Sequence, residues 1–265
     1  MRLDTVLELR SAGRLEDALE VLSKSSEFDP QLSSVGAEIE FAMGRFEDAA
    51  LSYAAVTLSD PDNADLHYNL ALCLACCERW DLAAESFERV LRLDAERVGA
   101  RLGLGSCLLH LNRAEEALVN FNRCASGPAL IGKAVALQSL QRFDEAGRVY
   151  EAFLAGMPDS EEALSNLIAM SIQRRDFART SDYSWRLLEI SPQSTVALQG
   201  LATAAFGCAD HPAAASYCDR ILELAPDNLE AWHNFRVAMD QCAFSAGHLG
   251  GNNESFTRSR RIEPA

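Results

Sequence analysis

Apolar residues along this chain recur with the spacing of amphipathic helices, and the helical stripes come in pairs. Residues 64–97 show the arrangement well, because a short polar segment at Glu78 and Arg79 separates two stripes there. The pattern predicts two helices that pack against each other in opposite directions. The first stripe consists of Leu70, Ala71 and Leu74, and the second of Ala83, Phe87, Val90 and Leu91.

The paired pattern returns along the chain as an internal repeat. Each unit has a small residue in its second stripe, and successive small residues are 31, 34, 34, 29, 34 and 34 positions apart. In four of the units, the residue four positions after the small one is aromatic: Tyr53, Phe87, Phe121 and Tyr150. Small residues let two helices approach closely, and a large ring fills the space toward the next pair. We therefore predict buried side chains at Ala83, Phe87, Ala117, Phe121, Ala146 and Tyr150.

The segment YNLALCLACCERWDLAAESFERVLRLD, residues 68–94, resembles the tetratricopeptide repeat family at its hydrophobic, small, aromatic and terminal positions. The resemblance extends over residues 1–242 and implies an all-α fold, a right-handed α-solenoid of about seven helix-turn-helix repeats. The last helix, around AWHNFRVAMDQCAF, is expected to be a cap that solvates the end of the stack. Residues 243–265 are glycine-rich and polar without periodicity, which predicts a disordered tail.

Two places depart from the family pattern. The shortened step between Ala117 and Ala146 predicts a second helix that is cut short after Phe121, where Gly127 and Pro128 are expected to break it. A kink in the solenoid near residues 125–128 should follow. The stretch from Ser33 to Met43 is also off pattern, because Glu40 stands where an apolar residue is expected.

Charge and hydropathy exclude some classes of partner. The chain has 39 acidic and 24 basic residues, a formal net charge of -15, whereas a general nucleic-acid binder needs a cationic surface. No apolar run is long enough to insert into a membrane, and Asp4 and Glu8 interrupt the apolar N-terminal segment. We therefore expect a soluble, cytoplasmic protein that binds no nucleic acid and does not insert into a membrane.

Eight cysteines raise the question of metal or redox chemistry. Cys73, Cys76 and Cys77 form a C-x2-C-C motif, but no second pair at zinc spacing follows. The cysteines instead recur at equivalent positions of the repeat, which favours a role as small apolar residues. No residue spacing suggests a catalytic group, so the sequence predicts no enzymatic activity, no metal and no cofactor. A metal or thiol-redox protein built on the cysteine motif is the alternative.

In the tetratricopeptide repeat family, certain positions of each first helix usually face a concave groove. Carried over to this chain, those positions are neutral and partly apolar, which suits a peptide or helical segment with apolar anchors. Some of the apolar members could instead pack only against neighbouring helices. The candidate groove residues are Tyr68, Asn69, Leu72, Leu102, Ser106, Leu109, Ile131, Val135, Asn166, Gln173 and Asn234.

Two known uses of such grooves can be compared with these positions. The residues that grip the C-terminal carboxylate of chaperones are absent, since Tyr68, Leu72 and Gly103 occupy their places in the best-formed units. Asn69, Asn166 and Asn234 resemble the asparagine ladder with which O-linked N-acetylglucosamine transferases hold extended peptides. The ladder is interrupted by glycine at positions 103, 132 and 200, and asparagine is also common at this position generally. Ligand contact and family composition are both open explanations.

Together these features predict a non-enzymatic scaffold or adaptor that binds a protein segment in its groove. The alternative is a regulatory or targeting module for a separately encoded enzyme such as a transferase. The sequence does not identify the partner or the oligomeric state.

Overall fold

The computed structural model of the protein describes residues 2–24 and 28–249, and it confirms the predicted all-α fold. Short turns join fifteen helices in this part of the chain, which contains no β-strand. The helices are α1 (Arg2–Ser11), α2 (Leu15–Ser23), α3 (Pro30–Ala42), α4 (Phe46–Ser59), α5 (Ala64–Cys76), α6 (Trp80–Leu93), α7 (Val98–His110), α8 (Ala114–Phe121), α9 (Gly127–Ser139), α10 (Phe143–Gly156), α11 (Glu161–Gln173), α12 (Phe177–Ile190), α13 (Thr195–Gly207), α14 (His211–Leu224) and α15 (Leu229–Leu249).

Polar N-caps start several of the first helices. The Asp29 carboxylate accepts hydrogen bonds from the backbone N–H groups of Gln31 and Leu32 at 2.9 and 3.3 Å, just before α3. The Asn63 side chain caps α5 in the same way. The off-pattern stretch around Glu40 is therefore helical after all. Glu40 itself is half-buried, and its carboxylate accepts a hydrogen bond of 2.8 Å from the Ser52 hydroxyl on α4.

The turn inside each helix pair contains one residue in the left-handed backbone conformation. This residue is Gly13 or Gly44 in the first two pairs, with φ of 74° and 76°. The backbone N–H of the residue after it donates to the carbonyl five residues earlier, as Arg79 does to Leu74 at 2.9 Å. In the later pairs the left-handed residue carries a side chain: Glu78, Asn112, Gln141, Arg175 and Ala209, each with φ of 57° or 58°.

The chain divides into two compact units, one ending at Phe153 and one beginning at Leu154. In the first unit, α3 packs against α4, α4 against α5, α5 against α6, and α6 against α7. In the second unit the same order holds from α11 through α15. Each helix thus packs mainly against its neighbours in sequence, as expected of a repeat protein.

The predicted burial of the small and aromatic columns is confirmed. Ala83, Ala117, Ala146 and Tyr150 have no exposed surface, and Phe87 and Phe121 are 1% and 3% exposed. Thr180 replaces alanine in the sixth unit, and its buried hydroxyl donates to the Asp176 carbonyl or the Ser171 hydroxyl, both at 2.9 Å. These contacts satisfy a polar group at a position that otherwise requires an apolar side chain.

Glycines in the first helices make room for the aromatic column. A Cβ atom on Gly103 in α7 would lie 2.3 Å from the Phe87 ring. The Phe121 ring lies similarly close to Gly105 of α7 and Gly132 of α9, where a Cβ would approach it to 2.6 and 2.5 Å. Rings from the second helices can therefore reach the backbone of the first helices only because these residues have no side chain.

The sequence correctly predicted a short second helix that ends after Phe121, but it did not predict correctly which residues end it. The helix α8 has 8 residues, whereas α4 and α6 have 14, and it ends at Phe121. Gly127 and Pro128 do not break α8, because they are the first two residues of α9. Proline is favoured in the first turn of a helix, where its missing N–H has no intrahelical partner. The kink near residues 125–128 stays a prediction.

The last helix differs from the expected solvating cap. Helix α15 has 21 residues and continues through residues 243–249, which the sequence assigned to a disordered tail. Trp232 and Met239 are 52% and 48% exposed and line a cavity of about 620 Å³ together with His233, Phe235 and Arg236. The helix therefore exposes large apolar side chains beside a basic one. The rest of the predicted tail, residues 250–265, lies outside the described residues.

Candidate functional site

A cavity of about 300 Å³ opens in the first unit between α3, α4 and α5. Glu38 and Phe41 of α3 form one side of it, Asn69 and Leu72 of α5 form another, and Tyr53 of α4 lies between them. Glu38 and Leu72 are one full repeat apart and occupy the same position of consecutive units. The cavity therefore lies on the face of the first helices for which the sequence predicts a groove.

The rim of this cavity carries charge. The Arg10 guanidinium of α1 donates a hydrogen bond to the Glu38 carboxylate of α3. Their side chains are 41% and 45% exposed, so solvent screens the ion pair and limits its contribution to stability. The prediction of a neutral groove is therefore wrong at this end of the face. A ligand here meets a carboxylate and a guanidinium in addition to apolar side chains.

Asn69 already has a partner within the chain. Burial raises the pKa of the Tyr53 phenol, and the negative charge of Glu38 raises it further. A hydrogen bond from the Asn69 side chain partly offsets these effects by lowering the pKa of Tyr53. The amide of Asn69 thus stabilises a hydroxyl that is otherwise largely surrounded by apolar groups. The carbonyl oxygen and the second N–H of this amide remain for contact with a ligand.

The Tyr68 side chain contacts three neighbouring residues within the first compact unit. The Arg97 guanidinium lies 4.3 Å above its ring centroid, a cation–π contact, and Arg97 also forms an ion pair with Asp65. The Phe87 ring meets the Tyr68 ring edge-on at 5.8 Å. A Cβ on Gly99 would lie 2.7 Å from the Tyr68 hydroxyl oxygen. Tyr68 is therefore a packed, half-buried residue.

The other candidate groove residues are exposed to different degrees. Leu102 and Leu109 are half-buried against the core of the first unit, whereas Ser106 beside them is exposed. Ile131 is only 7% exposed and belongs to the core, so it offers little surface to a ligand. The remaining candidates are half-buried at Val135, Asn166 and Asn234, and exposed at Gln173. Of the predicted set, the cavity brings together Asn69 and Leu72.

Sequence reasoning missed Glu38, Phe41 and Tyr53. The first two lie on α3, whose apolar pattern is poor, and the third was assigned only to the buried aromatic column. The equivalence of Glu38 and Leu72 in consecutive repeats was the available signal. It would have placed a carboxylate in the groove.

Cys73 and Cys107 are buried, protonated thiols with little nucleophilic character. Burial raises the pKa of Cys73 to about 12 and that of Cys107 to about 11. Cys76 is exposed and Cys77 is half-buried. Within residues 2–24 and 28–249, no group of histidine, cysteine and carboxylate side chains is arranged to hold a metal ion.

Comparison with known proteins identifies the repeat. The family model described as tetratricopeptide repeat matches residues 36–75 and 78–124, which cover α4 to α8 and part of α3. These two segments of the chain therefore match the tetratricopeptide repeat. No curated protein matches it in sequence.

Solved structures of low sequence identity share the fold. A tetratricopeptide repeat protein from Parabacteroides merdae is similar with a TM-score of 0.68 at 15% identity, over 90% of this chain and 97% of that one. PilW, a widely conserved type IV pilus biogenesis factor, has a TM-score of 0.68 at 17% identity, over 79% and 98% of the two chains. YrrB, a repeat protein with an unusual peptide-binding site, has a TM-score of 0.55 at 16% identity, over 69% and 97%.

These relationships show that the described part of the chain has the fold of tetratricopeptide repeat proteins. No helix among the described residues combines the length and the apolar character needed to cross a lipid bilayer.

Proposed function

We propose that this protein is a non-enzymatic scaffold or adaptor that binds a segment of another protein at the cavity between α3, α4 and α5. The observation that carries the proposal is the combination of apolar and polar groups around one opening. Phe41 and Leu72 offer apolar surface, while Glu38 and Asn69 offer an acceptor and an amide. Small ligand sites typically combine an apolar lining with a few placed polar groups.

The volume of the cavity limits which part of a bound protein segment can enter it. About 300 Å³ can hold one large side chain but not a folded element, so an extended or helical segment would insert a single apolar residue there. A main-chain N–H or a side-chain donor beside that anchor would face the Glu38 carboxylate. YrrB, a protein of similar fold, also has a peptide-binding site, which is described as unusual.

Affinity purification with matched variants tests the proposal. Leu72→Glu places a charge in the cavity, whereas Leu82→Glu places one on α6 at a leucine that is 40% exposed and does not line the cavity. We expect at least one protein to be recovered by the wild type and by Leu82→Glu and to be lost with Leu72→Glu. Circular dichroism spectra and melting curves should show that both variants fold.

Peptides from the recovered protein should then be titrated at low and high salt. An apolar anchor predicts an affinity that changes little with ionic strength. Equal affinity for the wild type and Leu72→Glu would contradict the proposed site. Salt should weaken only the contribution of the Glu38 and Arg10 charges on the rim, so binding that collapses with salt and is unchanged by Leu72→Glu would place the site elsewhere on the surface.

Regulation or targeting of a separately encoded enzyme is the alternative use of the same surface. It predicts that the recovered protein is one enzyme in a stoichiometric complex with this chain. Recovery of several unrelated proteins through the cavity would favour the scaffold.

A further inference from the structure

The outer face of α4 is unlike that of any other second helix in the described part of the chain. Its four outward positions carry no charge and are spaced as one apolar helical stripe. In α6 the equivalent positions, one repeat later, are all charged. The stripe on α4 is Leu51, Ala54, Ala55 and Leu58, and its counterparts on α6 are Glu85, Glu88, Arg89 and Arg92.

The apolar stripe is open to solvent. Leu51 is 72% exposed and Leu58 is 86% exposed, while Ala55 is exposed and Ala54 half-buried between them. The inner side of α4 is buried as in the other repeats, with Tyr53 2% exposed. The side of a surface helix that faces away from the core normally carries polar residues, and an apolar stripe there is normally covered by another surface. The outer face of α4 therefore lacks a cover within the described residues.

A cleft of about 660 Å³ adjoins this stripe. Leu51 and Ala55 of α4 line one part of it, and Leu22, Phe28 and Leu32 contribute further apolar surface. Its lining also includes the charged residues Asp29, Glu40 and Arg45. Phe28 is 57% exposed at the mouth of the cleft. The surface therefore has a protruding leucine, Leu58, and a recess that could receive one.

The stripe has the same order of residues in both directions. Leucine, two alanines and leucine are symmetric about the midpoint between Ala54 and Ala55. Two copies of α4 that cross antiparallel about a two-fold axis at this midpoint would place Leu58 of each copy against Leu51 of the other. The leucine would then enter the other copy's cleft, and the alanines would let the helix axes approach closely.

Charge restricts where two copies can meet. The chain carries a net charge of -15, so most surfaces of two molecules repel each other. The α4 stripe itself carries no carboxylate, and of the carboxylates that line the cleft, Asp29 caps α3 and Glu40 accepts a hydrogen bond from Ser52. At its edge, Glu47 of one copy would approach Asp62 of the other, but Asp62 already pairs with Arg89 at 2.7 Å. Salt should weaken the remaining repulsion and strengthen association.

We infer that the outer face of α4 is a self-association surface, on which two copies of this chain form a two-fold dimer. This goes beyond the proposed peptide-binding role and does not depend on it. The cavity between α3, α4 and α5 is not part of the contact, because none of its lining residues belongs to the stripe.

Sedimentation equilibrium of the full chain across the micromolar range tests the inference. The wild type should approach a dimer mass, and Leu58→Glu or Leu51→Lys should raise the dissociation constant at least about tenfold, because each buries an unpaired charge. Leu229→Glu is the matched control, since Leu229 is 83% exposed but lies on α15. It should leave the dimer unchanged.

A mixing experiment with Leu51→Lys and Leu58→Glu tests the two-fold register. In a mixed dimer, the introduced lysine of one chain and the introduced glutamate of the other would meet once, and the native leucine pair would form at the other end. An equimolar mixture of the two variants should therefore associate more tightly than either variant does with itself. Native mass spectrometry distinguishes the three possible dimers by mass.

Several outcomes would overturn the inference. They are a wild type that stays monomeric throughout, a dimer that dissociates with Leu229→Glu but not with Leu58→Glu, and a mixture that forms no mixed dimer. A monomer whose α4 stripe binds an amphipathic helix of a different protein, and loses it with Leu58→Glu, would assign the surface to that partner instead.

Discussion

Helices α4 and α6 stand at the same place in consecutive repeats, and they agree on the inner side and differ on the outer side. Ala49 and Ala83 are fully buried, and Tyr53 and Phe87 are 2% and 1% exposed. The outer face of α6 is charged, whereas that of α4 is apolar. The comparison shows that the repeat constrains one side of a second helix and leaves the other free to specify contacts with other molecules.

The largest effect should come from removing the inner aromatic residue. Phe87→Ala should lower the free energy of unfolding by about 3 to 5 kcal/mol, because it leaves a cavity between α5, α6 and α7. Leu82→Ala on the same helix, at 40% exposure, should cost about 1 kcal/mol or less. Urea melts of both variants measure the difference. Similar losses for the two would mean that the aromatic column is not the core.

The next effect concerns the glycine that receives this ring. Gly103→Ala should destabilise the protein by about 1 to 2 kcal/mol, because its Cβ would lie 2.3 Å from Phe87 and force the ring to move. Gly156→Ala is the control, since a Cβ there meets no atom within 4 Å. Thermal melts in which Gly103→Ala is as stable as the control would show that the ring relocates freely.

Removal of the corresponding contact in the preceding repeat, between Tyr53 and Asn69, should lower stability by less. Tyr53→Phe should cost about 0.5 to 1.5 kcal/mol, because it removes the hydroxyl that accepts a hydrogen bond from Asn69. Asn69→Ala should cost a similar amount, and the double variant should cost less than the sum. Strict additivity in a double-mutant cycle would argue against the hydrogen bond.

The smallest effect should be a gain. Glu78 adopts the left-handed conformation before α6, where Gly44 stands before α4. Glu78→Gly should raise the free energy of unfolding by about 0.5 to 1 kcal/mol, since the penalty of a side chain in this conformation exceeds the extra chain entropy of glycine. The reverse change, Gly44→Ala, should lower it. Chemical denaturation resolves both, and equal stability of all three proteins would contradict the argument.

The fold could be predicted because the types of the repeated residues and their spacing both indicated the same buried side of each helix. Ala83 and Phe87 are separated by about one helical turn and have counterparts in the neighbouring repeats, so their type and spacing indicated the same inner face. The end of α8 was less predictable. Gly127 and Pro128 are compatible with the end of one helix and with the start of the next, and the sequence alone did not decide between them.

The candidate site was only partly predictable for a related reason. Asn69 and Leu72 followed from the repeat numbering, but the contact of Asn69 with Tyr53 depends on side-chain geometry between helices. Ile131 occupies a groove position in the numbering and is nevertheless buried. A repeat register assigns a residue to one side of a helix, whereas the surrounding side chains determine how much of it a ligand can reach.

Each buried aromatic residue of a second helix is matched to one residue of the next repeat, and this match limits how repeats can be duplicated or deleted. The ring of Phe87 needs a glycine at the sixth residue of the following first helix, Gly103, whereas Tyr53 has Asn69 there. Duplicating residues 64–97 in tandem would bring Phe87 against a second copy of Asn69. Deleting them would leave the Tyr53 hydroxyl facing Gly103 without an amide. Insertions and deletions of whole repeats are therefore not neutral here, and a transplanted repeat must bring a junction that matches both of its new neighbours.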